Sequence, residues 1–290
     1  MTPPSLPPSL LADLAALLRP RIGLLAGAGA TAGCLFAGGI GLSAPCAAGA
    51  GAFLLSGGCS ALNQVQERAE DARMVRTRSR PLPAGRLGVR AALGLALLCL
   101  ALAALTLGHT PGGPAAALFV PLTVLVYNGV YTPLKKRSSL AMLLGGLAGA
   151  LPPVVGYAAS GASPLTPGAL LLAGVFYAWQ VPHFWLFARL NRADYAAAGF
   201  LTPLDGVART RAPGALALWL VSYGALMLLI PAFGLMAQPL PKALVAGLAA
   251  SVCLGAWPLL GRERLGFALV NASLVLFLCF LVADALRLTA

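Results

Sequence analysis

Nine apolar stretches, each about 20 residues long, dominate the chain and confine most charged residues to the segments between them. Only 10% of the 290 residues are charged, whereas an average soluble domain carries roughly 25%. A helix needs about 20 apolar residues to cross a bilayer. The pattern predicts an all-α integral membrane protein with about nine transmembrane helices, at residues 22–43, 46–67, 87–108, 114–132, 139–160, 167–189, 213–235, 241–260 and 265–287.

Basic residues predict the orientation of these spans. Eighteen of the 20 lysines and arginines fall on alternate connections, which leaves Lys242 and Arg287 for the opposite side. By the positive-inside rule, the chain is predicted in the cell (inner or plasma) membrane with its N-terminus cytoplasmic and its C-terminus outside. Orientation and attraction to anionic membrane lipid explain most of the net charge of +12, so nucleic acid is not an expected partner.

The sequence divides into a short N-terminal segment and one long membrane domain. Residues 1–19 are predicted to form an N-terminal cytoplasmic segment, and residues 20–290 one polytopic domain. The segment has no basic stretch before its apolar residues and no cleavage pattern, so a cleaved signal peptide is not expected. Residues 10–18 are predicted to form a short amphipathic helix on the membrane.

The six cysteines show no metal-ligand spacing and are interpreted as small hydrophobic residues.

Asn63, Glu67 and Asp71 stand four residues apart at the polar end of the second apolar stretch. In a helix this spacing places the three side chains on one face. Two carboxylates and an amide together favour a hard divalent cation such as Mg²⁺. The alternative from spacing alone is a solvated helix end whose acids pair with nearby arginines.

A basic loop follows this stripe and includes Arg76, Thr77 and Arg80, with Pro81 and Pro83 restricting its backbone. Arginines present planar forks of donors that suit a polyanion such as diphosphate. A stiff cationic loop beside a carboxylate stripe indicates a site prepared for metal-bridged phosphate chemistry.

Three further groups of polar residues lie on or near the predicted cytoplasmic side. Asp194 and Tyr195 follow the sixth stretch, and Asp194 is a candidate second carboxylate for a diphosphate-bound metal. Tyr131 lies at the end of the fourth stretch, and Lys135 and Arg137 follow it, where the cations either bind an anion or only fix the topology. The sixth stretch holds the sequence Trp179-Gln180-Val181-Pro182-His183-Phe184-Trp185.

His183 is a functional candidate because ionisable residues inside membrane spans are rare. Pro182 is predicted to interrupt the helix and free backbone groups for a cavity. The neighbouring aromatic rings suit a pocket for a prenyl chain or the stabilisation of a cation by their π faces. An interfacial aromatic belt is the competing interpretation. A packing role for the histidine is the competing interpretation.

These tracts together resemble the intramembrane prenyltransferase superfamily and, within it, the protoheme IX farnesyltransferases (haem O synthases). The first matching tract is Asn63-x3-Glu67-x3-Asp71-x2-Met74-x-Arg76-Thr77-x2-Arg80-Pro81. Three others match in order, and the resemblance covers about residues 20–285. They are Tyr127-Asn128-x2-Tyr131-Thr132 with Lys135 and Arg137, Gly145-Gly146 through Gly156, and Trp179-x2-Pro182-His183-Phe184-Trp185 with Asp194-Tyr195.

The resemblance implies a helical bundle around a central cavity that binds farnesyl diphosphate and haem B, with Mg²⁺ as cofactor. The implied metal-binding and catalytic residues are Asn63, Glu67, Asp71 and Asp194. The implied substrate-binding residues are Arg76, Thr77, Arg80, Tyr131, Lys135, Arg137, His183 and Tyr195. Association with a terminal oxidase assembly is left open.

One departure and two alternatives remain at this point. The family usually has aspartate where this chain has Glu67, whose side chain reaches one methylene further. A prenyltransferase acting on an aromatic or quinone precursor would use the same diphosphate site. A secondary transporter for an anion would explain the basic side, but transporters often show repeated broken helices, and the motifs here do not repeat.

Overall fold

The structure, a computed structural model, describes residues 9–39, 41–202, 208–255 and 262–287. Every regular element within these ranges is helical. The helices are α1 (Leu10–Leu18), α2 (Pro20–Phe36), α3 (Ser43–Gln66), α4 (Arg68–Arg73), α5 (Val89–Gly108), α6 (Gly113–Leu134), α7 (Ala141–Ala159), α8 (Pro167–Leu190), α9 (Arg192–Ala198), α10 (Ala208–Ala232), α11 (Pro239–Gly255) and α12 (Glu263–Ala285).

Seven of the described helices are long and apolar enough to cross a membrane: α3, α5, α6, α7, α8, α12 and the Gly214–Ala232 part of α10. The counterparts of predicted spans 22–43 and 241–260 are α2 and α11, each with 17 residues. Residues 256–260 of the latter span lie outside the described ranges. The all-α, multi-pass prediction is confirmed, whereas the count of nine is not.

The first predicted span extends too far. Helix α2 ends at Phe36, whereas the prediction continued to residue 43. Gly38 and Gly41 follow with φ of +81° and +74°, a conformation that glycine adopts readily and that a helix cannot continue. Because residues 37–43 are mostly apolar, composition alone did not predict that the helix ends at Phe36.

The predicted interruption at Pro182 is also wrong. Helix α8 continues from Pro167 to Leu190 through this proline, and α7 likewise passes through Pro152 and Pro153. Proline removes one backbone donor from a helix, and packed membrane helices tolerate that loss. Neither helix therefore has the break expected of a transporter site.

The helices form a closed arrangement in which each contacts its neighbours. α2 packs between α3 and α7, α5 packs on α3, and α6 contacts α7. α8 packs on α7 and α10, and α11 lies between α10 and α12. Because α12 returns to contact both α2 and α8, the helices enclose a central space. The prediction of a bundle around a cavity is confirmed in this respect.

Glycines permit a close contact between α2 and α7. A Cβ atom at Gly33 would lie 2.1 Å from the carbonyl oxygen of Pro153, and one at Gly156 would lie 1.8 Å from that of Ala30. Small residues allow such backbone approach in lipid, where van der Waals packing drives helix association. This contact fixes the relative position of α2 and α7, which both contribute side chains to the cavity wall.

Ion pairs show that the basic connections meet at one end of the bundle. Lys135, after α6, pairs with Glu67, between α3 and α4. Arg189 near the end of α8 lies 2.9 Å from Glu263 at the start of α12. We call this end, with the α3–α5 loop and helices α4 and α9, the polar cap.

Helix α1 packs onto the same end. Its bounds agree with the prediction, and Leu17 is fully buried. Gln64 donates through Nε2 to the carbonyl of Leu17 (2.7 Å), and Arg86 binds the carboxylate of Asp13 through Nε and Nη2. This hydrogen bonding lowers the pKa of Asp13. Contact of α1 with lipid stays a prediction, and residues 1–8 lie outside the described ranges.

Candidate functional site

A cavity of about 440 Å³ opens beneath the polar cap. Its upper wall carries charged residues, and its lower wall is built from apolar and aromatic side chains of α2, α3, α7, α8 and α12. Ligand pockets typically have volumes of roughly 300–1,000 Å³. The arrangement suits a ligand with an anionic end and a long apolar part.

The predicted carboxylate stripe faces this cavity, although the helix that carries it is interrupted. α3 ends at Gln66 and α4 begins at Arg68. The amide of Glu67 still donates to the carbonyl of Asn63 (2.9 Å), and that of Asp71 donates to Glu67 (2.7 Å). This helical spacing brings all three side chains to the cavity wall, as the pattern predicted.

The two acids of the stripe are paired with cations. Arg80 Nη1 lies 2.7 Å from Asp71 Oδ2, and the Asp71 side chain is 1% exposed. Lys135 Nζ lies 2.5 Å from Glu67 Oε1. Burial lowers the pKa of the Lys135 ammonium, while Glu67 opposes that shift. The upper wall thus brings together the acids and the cations expected of it.

Arg76 belongs to the same wall. Its guanidinium lies over the Phe187 ring, 5.1 Å from the centroid, and burial lowers its pKa, with Arg80 adding to the effect. Tyr195 also lines the cavity, and burial raises the pKa of its hydroxyl. Both residues line the cavity, and substrate binding by either one stays a prediction.

Asp194 was predicted to bind a metal, but its side chain makes different contacts in the structure. Its carboxylate accepts hydrogen bonds from the backbone amides of Val75 (2.9 Å) and Arg76 (3.3 Å). It is not among the residues that line the cavity. α9 therefore holds the basic loop through Asp194, and direct metal binding by this residue stays a prediction.

Thr77 and Arg137 also lie away from the cavity wall. Thr77 is 1% exposed, and its hydroxyl donates to the carbonyl of Asp71 (2.9 Å), which fixes the loop behind the stripe. Arg137 is exposed in the turn after α6. Substrate contact by either residue remains a prediction.

Two arginines that sequence reasoning assigned to topology line the cavity. Arg19 and Arg21 flank Pro20, where α1 meets α2. Arg19 has φ +52° and ψ 60°, a left-handed conformation that is uncommon outside glycine. Neither guanidinium forms an ion pair with an acid of the described residues, so the wall carries excess positive charge.

A π-helical segment shapes the wall beside Lys135. It spans Leu125–Tyr131 within α6 and turns Tyr127 and Tyr131 toward the cavity. Asn128 Nδ2 donates to the carbonyl of Cys59 (3.1 Å), which joins the segment to α3. Such segments often occur at functional sites. The ring of Tyr131 also fits against Gly145, where a Cβ would lie 2.6 Å from its Cε2.

His183 lies deeper, within an aromatic part of the cavity. Its ring centroid is 4.7 Å from that of Trp179, 5.1 Å from Phe267 and 5.7 Å from Phe184. Nδ1 of His183 lies 2.8 Å from Oδ1 of Asn271. His183 and these aromatic rings line the cavity, whereas substrate binding by His183 stays a prediction.

The stripe offers suitable donors for a divalent cation. Mg²⁺ prefers oxygen ligands and typically uses one or two carboxylates together with substrate phosphate oxygens. Asn63, Glu67 and Asp71 supply that chemistry on one wall. No cluster of three or more His, Cys, Asp or Glu side chains within the described ranges could hold a metal by itself. A metal here would therefore depend on further ligands from substrate or water.

The sequence is similar to curated prenyltransferases over most of its length. The "Protoheme IX farnesyltransferase" of Oleidesulfovibrio alaskensis is 43% identical over 82% of this chain and 83% of the relative. Those of Geobacter sulfurreducens and Nitratidesulfovibrio vulgaris are 44% and 36% identical, and cover 76% and 96% of this chain and 81% and 96% of their own lengths.

Solved structures share the fold. A UbiA homologue from Aeropyrum pernix K1 superposes with a TM-score of 0.77 at 22% identity, covering 92% of this chain and 99% of that one. One from Archaeoglobus fulgidus, bound to DMAPP and Mg²⁺, has a TM-score of 0.70 at 18% identity and covers 94% and 99%. The sequence profile of the UbiA prenyltransferase family matches residues 24–281. The chain belongs to the UbiA prenyltransferase family.

Proposed function

We propose that the protein transfers a farnesyl group from farnesyl diphosphate to a vinyl group of haem B, which gives haem O and diphosphate. The observation that carries this proposal is a single cavity that joins a cationic, carboxylate-bearing upper wall to an aromatic lower part. The names of the similar curated relatives support haem as the acceptor.

The reaction breaks the allylic C–O bond, the vinyl π bond and one O–H bond of water, and it forms one C–C bond and one C–O bond. The allylic C–O bond of farnesyl diphosphate breaks, and the diphosphate leaves with the electron pair. The terminal vinyl carbon of the haem bonds to the farnesyl carbon, and the cation that remains next to the porphyrin is captured by water. Loss of one proton from that water gives the hydroxyethylfarnesyl substituent.

The upper wall would stabilise the charge that grows on the leaving diphosphate. The guanidinium groups of Arg76 and Arg80 and the ammonium of Lys135 supply donors, and Arg19 and Arg21 add to them. Asn63, Glu67 and Asp71 would hold Mg²⁺, which when bound neutralises phosphate charge as a Lewis acid. Such preorganised groups stabilise developing charge most where water is excluded.

Asp194 and Thr77 would act as positioning residues in this scheme. The carboxylate of Asp194 accepts hydrogen bonds from the backbone amides of Val75 and Arg76, and the Thr77 hydroxyl donates to the carbonyl of Asp71. Tyr131 and Phe184, stacked with centroids 5.9 Å apart, would border the path between the diphosphate and the acceptor. Tyr195 would complete the wall beside Arg76.

A product assay tests the proposal. Membranes containing the protein receive haem B, farnesyl diphosphate and Mg²⁺, and the haems are resolved by mass. We expect farnesylated haem that disappears with EDTA and falls at least about 100-fold in Asp71→Asn, which keeps the size of the side chain but removes a metal-binding charge. Unchanged haem, with an aromatic or quinone precursor prenylated instead, would overturn the haem acceptor and keep the diphosphate site.

The orientation and the oxidase partner are further proposals. Placement of the polar cap in the cytoplasm follows from the distribution of basic residues and from their convergence at one end. Reporter fusions at the two termini test it, with an inside N-terminus and an outside C-terminus as the expected result. Association with a terminal oxidase assembly is tested by co-purification.

A further inference from the structure

We infer that Asn271 fixes the tautomer of His183 so that Nε2 can bind the iron of the porphyrin acceptor as an axial ligand. The inference deepens the proposed function, on which it rests, because it assigns two residues to the recognition of the metalloporphyrin. Asn271 belongs to α12, opposite α8, and does not itself line the cavity.

The orientation of the Asn271 amide follows from its second contact. Its Nδ2 lies 2.6 Å from the carbonyl oxygen of Phe267, one helical turn earlier. Because a carbonyl oxygen accepts and cannot donate, the side-chain atom that faces it must be the amino group. Oδ1 is therefore the atom that faces His183, at 2.8 Å.

The same argument assigns the histidine protons. The amide oxygen only accepts, so Nδ1 of His183 must carry the hydrogen. The ring is enclosed by aromatic side chains and contacts no carboxylate of the described residues, a setting in which an uncharged ring costs less than a charged one. In a neutral imidazole with Nδ1–H, the lone pair is on Nε2.

Nε2 is free to bind a ligand. His183 lines the cavity, and among the residues that the structure describes no group forms a hydrogen bond with Nε2. Histidines that bind metals almost always donate their other ring N–H to an oxygen, which orients the ring and raises its basicity. The amide of Asn271 supplies that oxygen here.

The surroundings fit a flat aromatic acceptor. The Phe187 ring lies nearly parallel to the imidazole, with 7° between the planes and 6.5 Å between centroids, and Trp179 and Phe267 flank it. Binding uses the Nε2 lone pair to form one N–Fe bond and requires no proton transfer, because Nε2 carries none. The acceptor would then be fixed by its metal beneath the Arg76 end of the cavity.

Titration of the purified protein with ferric haem B, followed by absorption and resonance Raman spectra, tests the inference. We expect a histidine-ligated spectrum in the wild type, its loss in His183→Ala, and its return when imidazole is added. His109→Ala is the matched control, because the chain has two histidines and His109 lies outside the cavity. Its spectrum should equal that of the wild type.

The role of Asn271 is tested with a pair of variants. Asn271→Leu should weaken haem affinity by about 10- to 100-fold, whereas Asn271→Asp, which still accepts from Nδ1–H, should restore it. Metal-free protoporphyrin IX provides the second measurement. We expect the wild type to bind it at least about tenfold more weakly than haem B, and Asn271→Leu to leave its affinity unchanged.

The outcomes separate this inference from the proposed function. A His183→Ala protein that keeps the wild-type spectrum overturns the inference, even if the wild type farnesylates haem. Equal affinity of the wild type for haem and for metal-free porphyrin does the same and does not depend on the folding of any variant. A wild type that neither binds nor farnesylates haem overturns the acceptor, and the inference with it.

Discussion

Lys135 combines burial with a charge that the proposed reaction needs. Its ammonium sits on the cavity wall against Glu67 and lies 5.0 Å from the centroid of the Tyr131 ring. Burial lowers its pKa, so the group loses its proton at a lower pH than an exposed lysine does. Deprotonation would remove positive charge from the wall and weaken diphosphate binding.

We therefore expect kcat/KM for farnesyl diphosphate to fall on the alkaline side of the pH profile, and to fall at a higher pH in Lys135→Arg. Arginine stays protonated at the pH values where lysine loses its proton. The alkaline fall in kcat/KM should therefore occur at a pH that is higher by about one unit or more. The measurement is the pH profile of each protein in the product assay. Identical alkaline limbs would show that another group controls the decline.

Arg19 gives a prediction that the sequence did not. Its left-handed backbone is held by the hydrogen bond that its N–H donates to the carbonyl of Ala15 and by the docking of α1. Arg19 lines the cavity without an acid partner among the described residues. Strained conformations of this kind concentrate at functional sites.

Arg19→Gln should raise KM for farnesyl diphosphate by about 10- to 100-fold, the effect of losing a charge-assisted hydrogen bond. Arg90→Gln serves as the control, because Arg90 is exposed at the start of α5 and does not line the cavity. Equal KM values in the two variants would remove Arg19 from the diphosphate site.

At the scale of elements, the contact between α2 and α7 depends on two glycines. Gly33→Ala and Gly156→Ala place a methyl group against backbone that cannot rotate away, so the helices must separate. We expect each variant to lose at least about 1–3 kcal/mol of stability. Gly94→Ala on α5 is the control, since no atom of the described residues lies within 4 Å of the added carbon.

Thermal unfolding in one detergent measures this difference. A lower transition temperature for Gly33→Ala and Gly156→Ala is the expected pattern, with Gly94→Ala unchanged or slightly higher because alanine favours a helix more than glycine does. If all three variants melt together, the close approach does not contribute to stability.

The sequence predicted the helices better than their irregularities. Length and hydropathy are local properties, so most spans were found to within a few residues. Whether Pro182 breaks a helix, or whether residues 125–131 take π-helical hydrogen bonds, depends on neighbours that a local pattern does not contain. The sequence pattern therefore predicted a break at Pro182 that does not occur, and it did not predict the π-helical segment at residues 125–131.

At the scale of the whole molecule, the site was predicted where its residues are close in sequence. Asn63, Glu67 and Asp71 follow a helical spacing, which short-range hydrogen bonds preserve through the interruption at Glu67. Asp194 bonds to an amide 119 residues away, and no periodicity could identify that partner. The pattern therefore did not anticipate this contact of Asp194, and metal binding by Asp194 stays a prediction.

The pairing of Glu67 with Lys135 and of Asp71 with Arg80 has a consequence for the order in which ligands bind. Without substrate, each acid is the counter-ion of a cation beside it. Separating such a buried pair for a single incoming ion would leave one charge uncompensated, which is costly. In the proposed function, farnesyl diphosphate and Mg²⁺ would bind together, the phosphates pairing with the cations and the metal with the acids.

Calorimetry should accordingly find that farnesyl diphosphate binds at least about tenfold more tightly with Mg²⁺ than with EDTA, a coupling of about 1.4 kcal/mol that must be reciprocal. An affinity unaffected by EDTA would contradict it. Binding is then an exchange of salt partners in which the net charge of the polar cap changes little between its empty and loaded states. The proposed reaction cycle would then include no state in which a charged side chain of the polar cap lies unpaired next to the apolar part of the cavity.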